Sequence, residues 1–373
     1  VVTKVRSVQS TPFDTIASFL ATEVFNPRWR ALADAVEYIE SGSYDLVHVL
    51  EIDRIHADAL SHLADADTPP IVGSINGRFF KPDPPTLPCR RPLTSLLEGR
   101  FRGPFTRYTP RVLRESPEWN HWYLEQCLQA DVFEHLLVHS TAAKRSVVDA
   151  CPTASTDRVS VVPDPVEAWA ADSPDPTEAR RDLDIPEDEP TLLFFGQLRE
   201  EKGVDLLLEA FEGYDGPPCT VVFAGTPVAV TAEEIAAVDR TTTATLVPRL
   251  EFIPQDDVET YFRAADGVVL PYRRSFGDER ASGVFQKACA AGRPVIASDF
   301  GTFRERVRTW DLGLRCDPGS SESLRTAIET FLDRDGDVYD PASMATYANS
   351  QTYETLSIAV SDVYDDLTVL NRS

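Results

Sequence analysis

The chain has one methionine in 373 residues, and only five of its 36 basic residues are lysine. Its six cysteines (Cys89, Cys127, Cys151, Cys219, Cys289 and Cys316) include no Cys-x-x-Cys pair, and the histidines do not cluster with them. Neither a disulfide framework nor a zinc site is signalled, so a reducing, cytoplasmic setting and no bound metal are expected. Several of these cysteines are expected to serve as small core residues. No apolar run approaches the ~20 residues of a membrane span, and no signal peptide is read at the start. Basic charge is scarce as a whole: 36 Lys and Arg face 60 Asp and Glu, a formal net charge of −24. Phosphate backbones demand a basic face, so nucleic acid is discounted as a partner. Short carboxylates stay hydrated in concentrated salt while screening relieves their repulsion, so the charge reads as salt adaptation. An ordinary acidic protein from a GC-rich genome is the alternative.

A chain of this length can bury a large core and is expected to form two domains. Asp45–Leu50, Ile71–Ile75, Leu136–Ser140 and Val159–Pro163 read as strands buried on both faces. Trp29, Leu32, Val36 and Ile39 form a helical stripe before the first of them. From Asp164 to Pro190 there are ten acids, two Arg and five Pro, the composition of an exposed hinge. Strand-like runs resume at Leu192–Phe195, Thr220–Ala224, Val268–Leu270 and Pro294–Ala297, again separated by helices. The expected divisions are a Rossmann-like domain over 1–165, an acidic Pro-rich linker over 166–190, a second Rossmann-like domain over 191–340, and a helical segment over 341–373. The chain opens VVTKVRS without an initiator Met, which reads as a second strand, so a first βα unit is expected to be missing.

The stretch from Val268 to Ser298, VVLPYRRSFGDERASGVFQKACAAGRPVIAS, reads as strand, polar loop, helix, stop and strand. Ser282 sits where an N-cap belongs, Val284, Ala288 and Ala291 recur at helical spacing, and Gly292 with Pro294 ends the helix. Such a helix packs closely on a sheet and aims its free N–H groups into the loop, where they attract phosphate. A similar unit recurs at Thr191–Phe211. There Gly196 ends the strand, a helix starts near Gly203, and Arg199 and Lys202 stand in the turn between. Two cations there can neutralise a pyrophosphate, Arg as a fork and Lys as a point charge.

These units appear in a fixed order with Phe223-Ala-Gly-Thr-Pro227, Ala264-Ala-Asp-Gly-Val-Val-Leu-Pro271 and Ala290-Ala-Gly-Arg-Pro-Val-Ile-Ala297. Upstream stand Tyr44-Asp-Leu-Val-His48, Val138-His-Ser140 and Val161-Val-Pro163-Asp-Pro-Val-Glu167. In this the chain resembles the retaining glycosyltransferases of the GT-B fold, glycosyl transferases group 1, and with its acidic composition a haloarchaeal member. The resemblance implies two Rossmann-like domains with an interdomain cleft, the first facing the acceptor. It implies transfer of a sugar from a nucleotide diphosphate sugar to a glycan or lipid-linked acceptor, without cofactor. Lys202 and Arg199 would hold the diphosphate, and Ser282, Gly283 and Val284 the distal phosphate. Glu279 would bind hydroxyls of the transferred sugar. Gly196, Gln197, Ile253 and Lys287 complete the implied donor set, and Asn76, Gly77, Arg78 and His139 the acceptor side.

Departures from the family pattern are part of the reading. Lys287 stands where a carboxylate usually binds ribose, Gln197 where Arg is usual, Asn76 where His is usual, and Pro254 where Gly is common. They keep open a non-catalytic nucleotide-sugar-binding protein and a nucleotide-sugar epimerase. Between Cys89 and Arg114 lie seven Arg and one acid, interleaved with Leu96, Leu97, Phe101, Phe105 and Tyr108. An anionic acceptor at a membrane surface, giving peripheral contact through Arg90–Arg114, would suit this run, and pairing with the chain's own carboxylates would serve equally. The six lone histidines, His48 and His139 included, are read as structural.

Overall fold

The computed structural model describes residues 44–50, 52, 69–75, 128, 132–151, 153–166, 169, 175–278, 280–334 and 337–370. Two compact units divide the chain: Val1–Val138, Lys144–Val161 and Val363–Ser373 form one, and His139–Ala143 with Val162–Asp362 the other. The chain therefore passes between units more than once, where the composition pointed to one acidic joint.

In the first unit, strands β1 (Val47–Val49), β2 (Ile71–Ile75), β3 (His135–Val138) and β4 (Val159–Val161) form a parallel sheet in the order β1-β2-β3-β4. Every residue of β2 is buried, as expected for a parallel strand covered on both sides. Histidines tie the strands together. His48 Nε2 bonds Ser74 Oγ at 2.8 Å, and His135 Nε2 bonds Ser160 Oγ at 2.8 Å. His48 Nδ1 also meets the Tyr364 hydroxyl on the C-terminal helix. Both rings act as braces, which is the structural role expected of them.

The second unit is built on β5 (Thr191–Phe195), β6 (Thr220–Ala224), β7 (Thr245–Arg249), β8 (Gly267–Leu270), β9 (Val295–Ser298) and β10 (Gly313–Cys316). All are parallel, in the order β10-β9-β8-β5-β6-β7. Alternate residues face opposite cores. Leu193, Val222, Val268 and Val295 enter one, and Leu192, Val221, Val269 and Ile296 the other. Helices in chain order are α1 (Thr141–Ala150), α2 (Pro176–Asp182), α3 (Val204–Phe211), α4 (Ala232–Asp239), α5 (Gln255–Ala264), α6 (Gly283–Ala290), α7 (Gly301–Trp310), α8 (Ser321–Asp333), α9 (Pro341–Ser350) and α10 (Tyr353–Leu370). Residues of α5, α6, α7 and α9 fill the first core, and residues of α3 and α8 the second. The strand order reverses between β8 and β5, and the crevice beyond the carboxyl ends of strands at such a point is where ligands bind in this fold type. Among the described residues, no helix is long and apolar enough to cross a membrane.

Residues 175–190 are not the exposed hinge that their composition suggested. Asp175 caps α2 by accepting from the N–H groups of Thr177 and Glu178, and Pro176 occupies the first turn, where no N–H is needed. Ala179 and Ile185 enter the core. Arg180 is buried, donating to Ala264 O at 2.9 Å and Glu187 O at 3.0 Å and pairing with Asp266 at 2.6 Å. The acids fall on the outer face of a packed segment, and the prolines punctuate it. Cys151, Cys219, Cys289 and Cys316 are buried, as small core residues. Burial pushes the Cys219 thiol up to about 12 and Cys316 up to about 11, so neither offers a thiolate near neutral pH.

Candidate functional site

The loops after β5 and β8 meet at the strand-order reversal. After β5, Gly196 takes φ 102°, and a short 3-10 turn over Glu200–Lys202 leads through Gly203, at φ 75°, into α3. The Gly203 Cα lies so near the other loop that a Cβ there would stand 2.1 Å from Pro271 O. Arg273 N also donates to Glu201 O at 3.0 Å, closing the two loops on each other. Only glycine permits both the left-handed backbone and this approach.

That geometry sets Lys202 in place. Its Nζ lies 2.8 Å from where a Cβ on Gly196 would be, and Val284 Cγ2 lies 3.7 Å from the same point. Gly196, Lys202 and the first turn of α6 therefore share one small space. Ser282 is the N-cap of α6, accepting from Phe285 N at 3.4 Å. The N–H groups of Gly283 and Val284 have no acceptor within the helix, as for the first residues of any α-helix. Gly283 is exposed, and a methyl group placed on its Cα would meet nothing within 4 Å. The result is a cation and two N–H groups without an acceptor among the described residues, around an open approach, the chemistry of an anion site.

The arginines nearby are already paired. Arg199 lies 3.7 Å from Glu201, Arg280 lies 3.4 Å from the same carboxylate, Arg274 lies 3.9 Å from Asp278, and Arg273 pairs with Asp205. Gln197 is exposed beside this turn. Lys287, one turn into α6, lines a recess of about 240 Å³ with Pro165, Val166, Trp169, Gln255, Gly283, Gln286 and Tyr353. The Ile253 side chain is buried in the core just ahead of α5. Glu279 lies outside the described residues, as do Asn76, Gly77, Arg78 and the run Arg90–Arg114. His139 is half-buried and braced, its Nδ1 2.9 Å from Pro163 O. No group of three or more His, Cys, Asp or Glu able to hold a metal occurs among the described residues.

A buried polar network behind α6 had no signal in the sequence. Asp164 accepts from Gln286 Nε2 at 2.9 Å and from Arg306 Nη1 at 3.1 Å. The Tyr347 hydroxyl donates to Gln286 Oε1 at 3.0 Å, and Arg306 Nη2 donates to His139 O at 2.9 Å. Burial disfavours charge on Arg306, but Tyr347 and Asp164 outweigh it, and its pKa is raised. The carbonyl of Asp278, beside Glu279 in the chain, accepts from Thr302 N at 2.9 Å at the start of α7. These contacts hold the helix and loop that border the anion site. The partners lie up to 167 residues apart, and no local pattern pairs them.

Comparison with known proteins identifies the region that bears this site. Residues 175–351 match the family of glycosyl transferases group 1. The matched residues lie within the second unit. The D-inositol 3-phosphate glycosyltransferase of Corynebacterium glutamicum is 31% identical over 193 residues, covering 49% of this chain and 45% of that one. The chain spans about half the length of the curated relatives it matches. Sucrose-phosphate synthase from Thermosynechococcus elongatus superposes with a TM-score of 0.61 at 18% identity, covering 92% of this chain and 80% of that one. HepE of Anabaena in complex with UDP gives a TM-score of 0.66 at 14% identity, covering 90% and 82%. The fold is α/β with two parallel sheets, that of the GT-B glycosyltransferases.

Proposed function

We propose that this chain is a retaining glycosyltransferase that moves a hexose from a nucleotide diphosphate sugar to a glycan or lipid-linked acceptor. The observation that carries the reading is the Lys202 ammonium held against the bare Cα of Gly196 and beside Val284 of α6, inside the glycosyl transferases group 1 region. HepE, a structural neighbour, is known in complexes with UDP and with UDP-glucose, which supports a nucleotide donor here.

In this proposal the diphosphate lies between Lys202 and the first turn of α6. As the bond from the anomeric carbon to the phosphate oxygen breaks, negative charge grows on the leaving diphosphate. Donors already in place for that charge lower the barrier by roughly 2.7–4 kcal/mol each in comparable sites. Arg199 turns from Glu201 to the same diphosphate, and Glu279 holds hydroxyls of the sugar. The acceptor hydroxyl bonds to the anomeric carbon on the face the phosphate leaves, and its proton passes to the departing phosphate oxygen. No separate protein base is then required. Lys287 donates to ribose oxygens where the family pattern has a carboxylate to accept from them. The proposal includes a cytoplasmic setting without cofactor, and peripheral membrane contact through Arg90–Arg114.

Titration with UDP and with GDP by calorimetry, in molar KCl, tests the reading. One nucleotide is expected to bind, and Lys202→Ala to weaken it by about 1.5–3 kcal/mol through loss of a charge-assisted contact. Folded protein that binds neither nucleotide would overturn the catalytic reading. Binding without turnover of any donor sugar would point instead to a non-catalytic binding protein.

A further inference from the structure

We infer that Tyr272 is a positioning residue for the Lys202 ammonium, a role that rests on the donor-site reading above. Tyr272 follows Pro271 at the end of β8, across the strand-order reversal from the loop that carries Lys202. Its ring is 1% exposed and is locked edgewise against Phe276, at 4.7 Å between centroids, and Phe303, at 5.2 Å. Lys202 Nζ lies 5.6 Å from the centre of this ring, within the range of a cation–π contact. The same ammonium abuts the Gly196 Cα, so a rigid aromatic face and a bare backbone together bound its position.

The choice of an aromatic partner has an electrostatic consequence. In a chain of net charge −24, the arginines around this loop are all engaged by carboxylates. Among the described residues no carboxylate lies within ion-pair distance of Lys202. A carboxylate would neutralise the ammonium and compete with a diphosphate. A ring quadrupole holds it while leaving its full charge for the ligand. The Tyr272 hydroxyl is buried with no hydrogen-bond partner among the described residues, so the face of the ring, rather than the hydroxyl, is the working part.

The chain's five lysines allow a direct test. In a lysine-selective ¹³C spectrum, the Lys202 ε-methylene signal, assigned by its loss in Lys202→Arg, is expected upfield of the other four through the ring current. It should stay there in Tyr272→Phe and move to the ordinary position in Tyr272→Leu. UDP affinity should be retained in Tyr272→Phe and fall about three- to tenfold in Tyr272→Leu, while uridine affinity does not change. In a Lys202→Ala background, Tyr272→Leu should cost nothing further. An unshifted wild-type signal, or an equal loss in both backgrounds, overturns the inference. If Lys202→Ala leaves UDP affinity intact, the donor-site reading fails, and the lysine spectrum still decides the placement. That spectrum needs no Tyr272 variant, so it decides even where Tyr272→Leu does not fold.

Discussion

Gly203 and Gly283 each stand at the start of a helix, yet replacing them is expected to have opposite effects on folding. Gly203 has φ 75°, and a methyl there would meet Pro271 O at 2.1 Å. Gly203→Ala therefore forces left-handed strain and a backbone clash, and we expect a loss of about 1–3 kcal/mol or more. Urea denaturation with an unchanged midpoint would refute this. Gly283 has open space around it and an ordinary backbone conformation. Gly283→Ala should keep or raise stability, by about 0.4–1 kcal/mol, through a less flexible unfolded chain. Its methyl would nonetheless stand beside the two free N–H groups, so UDP affinity should drop while the melting temperature does not. Undiminished affinity would remove α6 from the proposed diphosphate site.

At the scale of elements, α6 is held from behind through its own Gln286, which bonds Asp164 and Tyr347, with Arg306 paired to the same Asp164. The Arg306 side chain is 7% exposed and that of Asp164 15%, so the pair is largely out of water. Removing one partner leaves a buried charge uncompensated, which costs about 3–5 kcal/mol in comparable pairs. Arg306→Leu is expected to destabilise the second unit by that order in urea. Replacing Asp164 by Asn in the same chain should recover part of the loss, because the stranded charge is gone. A single variant as stable as wild type would show that the pair is dispensable. The edges of the second sheet follow a different logic. β7 has only Leu246 fully buried and includes Pro248, and β10 has only Cys316 fully buried. Edge strands tolerate proline and polar residues because one side needs no ladder bond. For that reason neither read as a strand, while the central β5, β6, β8 and β9 did.

For the molecule as a whole, titration and salt are the relevant variables. Burial lowers the His48 pKa below its ordinary 6.5, and burial followed by Lys144 and Arg158 does the same for His135. The groups that face these rings include Tyr364 and Ser74 at His48, and Ser160 and the more distant Asp366 at His135. The folded state then binds fewer protons than the unfolded state as pH falls through 6.5, so this part of the stability is present above that pH and lost below it. Melting temperature should therefore fall between about pH 7.5 and 5.5, and His48→Gln should flatten the slope. A melting temperature that rises on acidification would contradict the sign. The −24 charge adds a second expectation. Screening of self-repulsion should raise the melting temperature from about 0.1 to 1 M KCl, and a fall would count against salt adaptation.

Much of the second unit was legible locally because its signals are local. Runs buried on both faces mark β5 and β6, Ser282 marks the start of α6, and Gly292 with Pro294 marks its end. Backbone conformation and helix capping act within a few residues, so the sequence by itself determined the βα alternation and the glycine-bordered turn bearing Lys202. It did not show that residues 175–190 pack, since composition reports the exposed face of a segment and hides which few residues turn inward. Nor did it show that Tyr272 lies under Lys202, or that Asp164 reaches Arg306. Those pairs are 70 and 142 residues apart, and their meeting depends on strand order and on loops pressed together around Gly203. Only the tertiary structure decided them, because a contact between distant residues is a property of how the sheet is ordered and not of either segment alone.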